Sequence, residues 1–106
     1  MPQYIYRLQP TRVEMLTNGP TEQEIRVVAE HFEYLRGLTE LGTVLMAGRT
    51  LNADGSVFGI VVFASDSESA ARELMQNDPA VRDGLMAAEL FPFRVALWSS
   101  SGPAEP

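Results

Sequence analysis

The chain has 106 residues, a formal charge of −6 and no cysteine, which limits it to one domain without disulfides, thiolate nucleophiles or cysteine metal sites. With 45% apolar and 21% charged residues, it has the composition of a folded globular domain and not of a disordered chain. Its eight basic residues are scattered and its single histidine offers one nitrogen ligand, so neither nucleic acid nor an anionic membrane is expected as a partner, and neither a metal nor an organic cofactor is expected.

Met1-Pro2-Gln3-Tyr4 carries no charged leader and no long apolar run. No signal peptide or membrane span is expected, and the default location is the cytoplasm. Tyr4 to Gln9 is rich in strand formers and alternates, with Tyr4, Tyr6 and Leu8 on one face and Ile5, Arg7 and Gln9 on the other. Pro10 ends this strand, because it cannot donate to a ladder. Thr11 to Pro20 is expected to be a loop, closing on the turn signal Asn18-Gly19-Pro20.

Thr21-Glu22-Gln23-Glu24 has the spacing of a capping box, in which the threonine oxygen takes the Glu24 amide and the Glu24 carboxylate reaches back. The long helix it opens has apolar residues at Ile25, Val28, Ala29, Phe32, Leu35, Leu38 and Leu41, which predicts one buried face, with Gly42 as the stop. Thr43 to Gly48 reads as a short buried strand, Asp54-Gly55 as turn chemistry, and Val57 to Phe63 as the antiparallel partner across a hairpin.

Ser65-Asp66-Ser67-Glu68 caps a second helix that buries Ala70, Ala71, Leu74 and Met75 and ends near Asn77. Asp78-Pro79 reads as an N-cap followed by proline at the first helical position, opening a single turn that Gly84 ends. Glu89 to Trp98 is the last expected strand, with Pro92 marking an edge or a bulge. Residues 1–98 therefore form the expected domain, and 99–106 a frayed tail.

The order β-α-β-β-α-β predicts an α+β fold of the ferredoxin-like, split βαβ kind, with both helices on one face of an antiparallel sheet. Ile60, Val62 and Val95 put apolar groups on the other face as well. A second copy packed sheet to sheet is the economical cover, so a homodimer is expected.

Several residues can carry chemistry, and each also has a plainer explanation. His31 lies at the border of the helix's apolar stripe, placed either for general acid–base work or simply for a hydrogen bond at the helix edge. Arg7 and Arg49 can bind an anionic substrate, or pair with some of the fourteen acidic residues. Tyr34, with Tyr4, Tyr6 and Phe58, can line an aromatic pocket or belong to the core. There is no Gly-x-Ser-x-Gly elbow, phosphate loop or dinucleotide fingerprint.

His31-Phe32-Glu33-Tyr34-Leu35, Gly42, Ala47-Gly48, Asp54-Gly55, Asp78-Pro79, Gly84 and Glu89-Leu90-Phe91-Pro92-Phe93 occur in an order that resembles the YciI-like, YCII-related family over roughly residues 3 to 98. The resemblance implies a ferredoxin-like protomer that dimerises into an α+β barrel. It also implies a cleft built on a paired histidine and aspartate, here His31 and Asp78, with the aspartate fixing the tautomer and stabilising the imidazolium. One branch of the family eliminates chloride from a chlorinated hydroxyquinol. Members often have proline after the Ala-Gly, where this chain has Arg49. Two functions are in view. One is a cofactor-free lyase or isomerase that acts on a small cyclic or aromatic molecule with His31 and Asp78 as its catalytic pair and Arg7, Arg49 and Tyr34 around the substrate. The other is a non-catalytic ligand-binding or accessory dimer using the same cleft.

Overall fold

The computed structural model describes residues 1–103. Four strands, β1 (Gln3–Pro10), β2 (Val44–Arg49), β3 (Gly59–Ala64) and β4 (Met86–Phe93), form one sheet. Its order is β2-β3-β1-β4, with every neighbouring pair antiparallel. This is the ferredoxin-like α+β arrangement, with the first and third strands in the centre.

The side-chain alternation of β1 sets both faces of the sheet. Tyr4, Tyr6 and Leu8 stand opposite Phe63, Val61 and Gly59 on one side and Pro92, Leu90 and Ala88 on the other. Residues directly opposite share a face, and this face meets Leu35, Ala71 and Met75 from the helices to make the core. Ile5 and Arg7 point the other way with Val62, Ile60, Phe91 and Glu89. On that second face Phe91 is 46% exposed.

The helices are α1 (Glu14–Thr17), α2 (Glu22–Glu40), α3 (Glu68–Gln76) and α4 (Pro79–Arg82). The capping box at Thr21 forms: Glu24 N donates to Thr21 Oγ1 at 3.1 Å, and Thr21 N donates to Glu24 Oε1 at 2.8 Å. Ser67 caps α3 through the Ala70 amide, and Asp78 caps α4 through the Ala80 amide. Both caps satisfy amides that have no partner within the helix.

The structure departs from the sequence expectations in several places. Strand β2, expected to be buried, buries only Val44 and is exposed from Met46 to Arg49, because it is an edge strand. The segment expected to be a loop contains α1, a single turn; four residues are too few to show a period. It is held down by buried Met15 and by Arg12, which forms a two-bond ion pair with Glu24 at 2.8 and 2.6 Å. Strand β3 starts at Gly59, not Val57, because the Val57 amide is already used by Asp54 O in the turn. Strand β4 runs from Met86 to Phe93, not from Glu89 to Trp98. It pairs along the whole of β1, from Pro10 opposite Met86 to Gln3 opposite Phe93, so beyond Phe93 the chain has no rung left to join. Of the expected tail, residues 99–103 are exposed without regular structure, and 104–106 lie outside the described residues.

A further departure concerns how α2 is rolled about its axis. The row facing the sheet is Glu24, Val27, His31, Tyr34, Leu35 and Leu38. Much of the apolar stripe expected to be core, Ile25, Val28, Phe32 and Leu41, is exposed, with Phe32 at 64%. The exposed stripe does not face open solvent evenly: Ile25, Val28 and Phe32 form one wall of a groove.

Candidate functional site

The groove lies between α2 and the sheet, with a volume of about 990 Å3. Its walls are Ile25, Val28 and Phe32 from α2 and Leu8, Ala47 and Val61 from the helix-side face of the sheet, and His31 also lines it. A mostly apolar concavity of this size with few polar groups is the usual form of a small-molecule site.

His31 stands on the sheet-facing row of α2 with 15% of its side chain exposed. Its Nδ1 lies 2.6 Å from Asp78 Oδ1. Asp78 sits where the chain turns from α3 into α4, where Pro79 at the first helical position fixes the backbone angle. The aspartate is wholly buried, which would be costly for an unmatched charge. It is matched from three directions. Oδ1 accepts from the Ala80 amide at 3.0 Å as well as facing His31, and Oδ2 accepts from the Tyr6 hydroxyl at 2.8 Å. Among the described residues no buried side-chain polar atom lacks a partner.

The proton positions follow from this network. Burial, and next the charge of Asp78, push the Tyr6 hydroxyl well above the ordinary tyrosine range, so it stays a donor. An ionised carboxylate only accepts, so Nδ1 carries the hydrogen that faces it. In the neutral imidazole Nε2 then holds a lone pair, on a ring that lines the groove. A carboxylate that holds one nitrogen leaves the other able to take a proton and stabilises the cation that results.

The remaining sequence candidates fall in different places. Arg49 stands opposite Gly59, which stands opposite Leu8, so it is on the helix-side face and lines the groove with His31. Arg7 is on the other face, opposite Ile60, over the Phe58 ring at 5.1 Å and 3.5 Å from Glu89. Tyr34 is turned into the core, donating its hydroxyl to Leu74 O at 2.8 Å. Burial, then the charge of Asp78, raises it to about 12. The structure thus brings together His31 and Asp78, adds Arg49 at the groove, and does not bring Arg7 or Tyr34 to it. Tyr6, read from the sequence only as pocket lining or core, is the residue missed. Its signal was a tyrosine on the inward face of a central strand, because a buried hydroxyl needs a partner. Among the described residues no three His, Cys, Asp or Glu side chains cluster closely enough to hold a metal ion, and no helix is long and apolar enough to cross a membrane.

The fold is shared with a solved structure, 5-chloro-2-hydroxyhydroquinone dehydrochlorinase from Burkholderia phenoliruptrix in complex with 2,5-dihydroxybenzoquinone. The TM-score is 0.62 at 20% identity, over 86% of this chain and 93% of that one. No curated protein matches the chain. Residues 6–94 match the YCII-related domain, and the chain therefore belongs to the YCII-related family.

Proposed function

We propose that the protein is a small enzyme that catalyses an elimination or isomerisation by proton transfer on a small cyclic or aromatic molecule in the groove, working as a homodimer in the cytoplasm. The 2.6 Å contact between His31 Nδ1 and a buried, fully bonded Asp78 carries this reading. A histidine that only satisfied a helix edge would not require a buried carboxylate held by two further donors. His31 Nε2 removes a proton from carbon or oxygen of the substrate. Asp78 stabilises the imidazolium, and the same proton then returns to a leaving group or to a second carbon. The fold neighbour supports the reaction class, since it is named for a dehydrochlorination and was solved with a quinone in place. The apolar second face of the sheet, with Phe91 and Phe93 exposed, supports the dimer.

The experiment is a thermal-shift screen of cyclic and aromatic acids, phenols and lactones, with turnover assays on every compound that raises the melting temperature. On a substrate so found, His31→Gln should lower kcat by about 10²–10⁴-fold while the variant remains folded. Undiminished turnover in folded His31→Gln would refute the role of the imidazole, and ligands that bind without being turned over would favour a non-catalytic binding protein.

A further inference from the structure

The charge of the groove is opposite to that of the molecule. The chain carries −6 overall with fourteen acidic residues, yet among the described residues no Asp or Glu lines the groove, and the ionisable ones that do are His31, Arg36 and Arg49. Arg36 is already neutralised on the outer side of α2, by Glu33 at 2.6 Å and Glu40 at 2.7 Å. Among the described residues Arg49, like Arg26 and Arg94 away from the groove, forms no ion pair, whereas Arg7, Arg12, Arg36, Arg72 and Arg82 do. The end of β2 fixes it in place, since the Arg49–Gly59–Leu8 row sets its face. Nothing larger than hydrogen stands at Gly59, where an added Cβ would come 3.3 Å from Gly48 O and 3.8 Å from Arg49 Cβ. The β2 end thus stays close against β3 at this point.

From this we infer that Arg49 is a specificity-determining residue that selects an anionic ligand, a ring compound bearing a carboxylate or an equivalent acidic oxygen, over its neutral counterpart. The inference rests on the groove being the site of action. A guanidinium presents a planar fork that matches a carboxylate with two hydrogen bonds, and next to apolar walls such a pair is screened less than in open water. The apolar ring lies along Ile25, Val28 and Phe32, its anionic group is held at Arg49, and His31 faces the bound molecule from the α2 wall. The local positive charge at Arg49 favours an apolar anion over a cation inside the groove, against the −6 charge of the whole chain.

The test is a matched pair of ligands, 2-naphthoate and 2-naphthamide, titrated into the intact protein with the backbone amide signals of the groove residues followed by NMR. The naphthoate should bind about tenfold more tightly than the amide. Arg49→Gln should remove that preference without weakening the amide, and Arg49→Lys should restore part of it. Equal affinities in the wild type, a preference that survives Arg49→Gln, or binding of neither ligand at millimolar concentration would each overturn the inference. So would a change of molecular mass on Phe32→Asp, which would show a second copy in the groove. His31→Gln separates the two readings. If it keeps the carboxylate preference but loses turnover, both stand. If it keeps both, only the acid–base reading falls. If His31→Gln loses turnover and binds both ligands equally, as the wild type does, only the selectivity falls.

Discussion

Tyr6 is the side chain on which the site depends without contributing a reacting atom. It is fully buried, and its hydroxyl supplies one of the donors that hold the Asp78 carboxylate. Tyr6→Phe keeps the ring's packing against Phe63 but leaves Asp78 Oδ2 without that donor. Removing one donor from a buried charged acceptor should cost about 1–3 kcal/mol, read as a lower urea midpoint with an unchanged slope. Nitrogen NMR of His31 in the same variant tests the positioning role, since a merely structural tyrosine would leave the proton on Nδ1. His31 and Asp78 were legible as individual residues, one as the lone histidine and the other as a cap before proline. Only the family resemblance joined them, because no local pattern links positions 47 residues apart. Arg7 shows the opposite case: its strand position was legible, but the face holding the site depended on where α2 packed.

At the scale of elements, α2 shows how far periodicity carries. Its start at the Thr21 capping box was readable to the residue, because the cap is a local arrangement of four residues. Its roll was not readable. The apolar residues of the helix cover a wider arc than the sheet can bury, and sequence alone does not say which part of the arc stays out. The pair between Arg12 and Glu24 at the head of the helix has a consequence for acid stability. The hydrogen bonds from Arg12, and next the bond from the Thr21 amide, hold Glu24 at about 2, below its ordinary 4.5. Between those values the unfolded chain binds the extra proton. The stability that Glu24 contributes is thus complete above pH 4.5 and fades as pH falls toward 2. Urea midpoints taken from pH 7 down to pH 2.5 should fall more steeply in the wild type than in Glu24→Gln. Parallel curves would mean that the pair contributes nothing to folding.

For the whole molecule, the antiparallel sheet and the helix order followed from alternation, capping and turn signals, each a short-range property. The missing information was long-range, namely how far β4 extends along β1. That is decided by the eight rungs β1 offers and not by the apolar run that continues to Trp98. The second face of the sheet raises the question of assembly. Phe91 and Phe93 are 46% and 41% exposed there, beside Ile5 and Ile60. At micromolar concentration, light scattering should give twice the 11.7 kDa chain mass, and Phe91→Asp should return the protein to a single chain while its circular dichroism stays native. A wild-type monomer would refute the dimer.

The three donors around Asp78 come from the first strand, the long helix and its own turn, with sequence separations of 72, 47 and 2. The oriented imidazole therefore cannot exist in a fragment that ends before Asp78, nor in a partly folded chain that has formed α2 alone. Contacts of such long sequence separation are intrinsically slow to form, so the His31–Asp78 contact needs tertiary closure beyond the helix that carries the histidine. A chain cut short before Asp78 leaves His31 without that partner, however well α2 itself has formed.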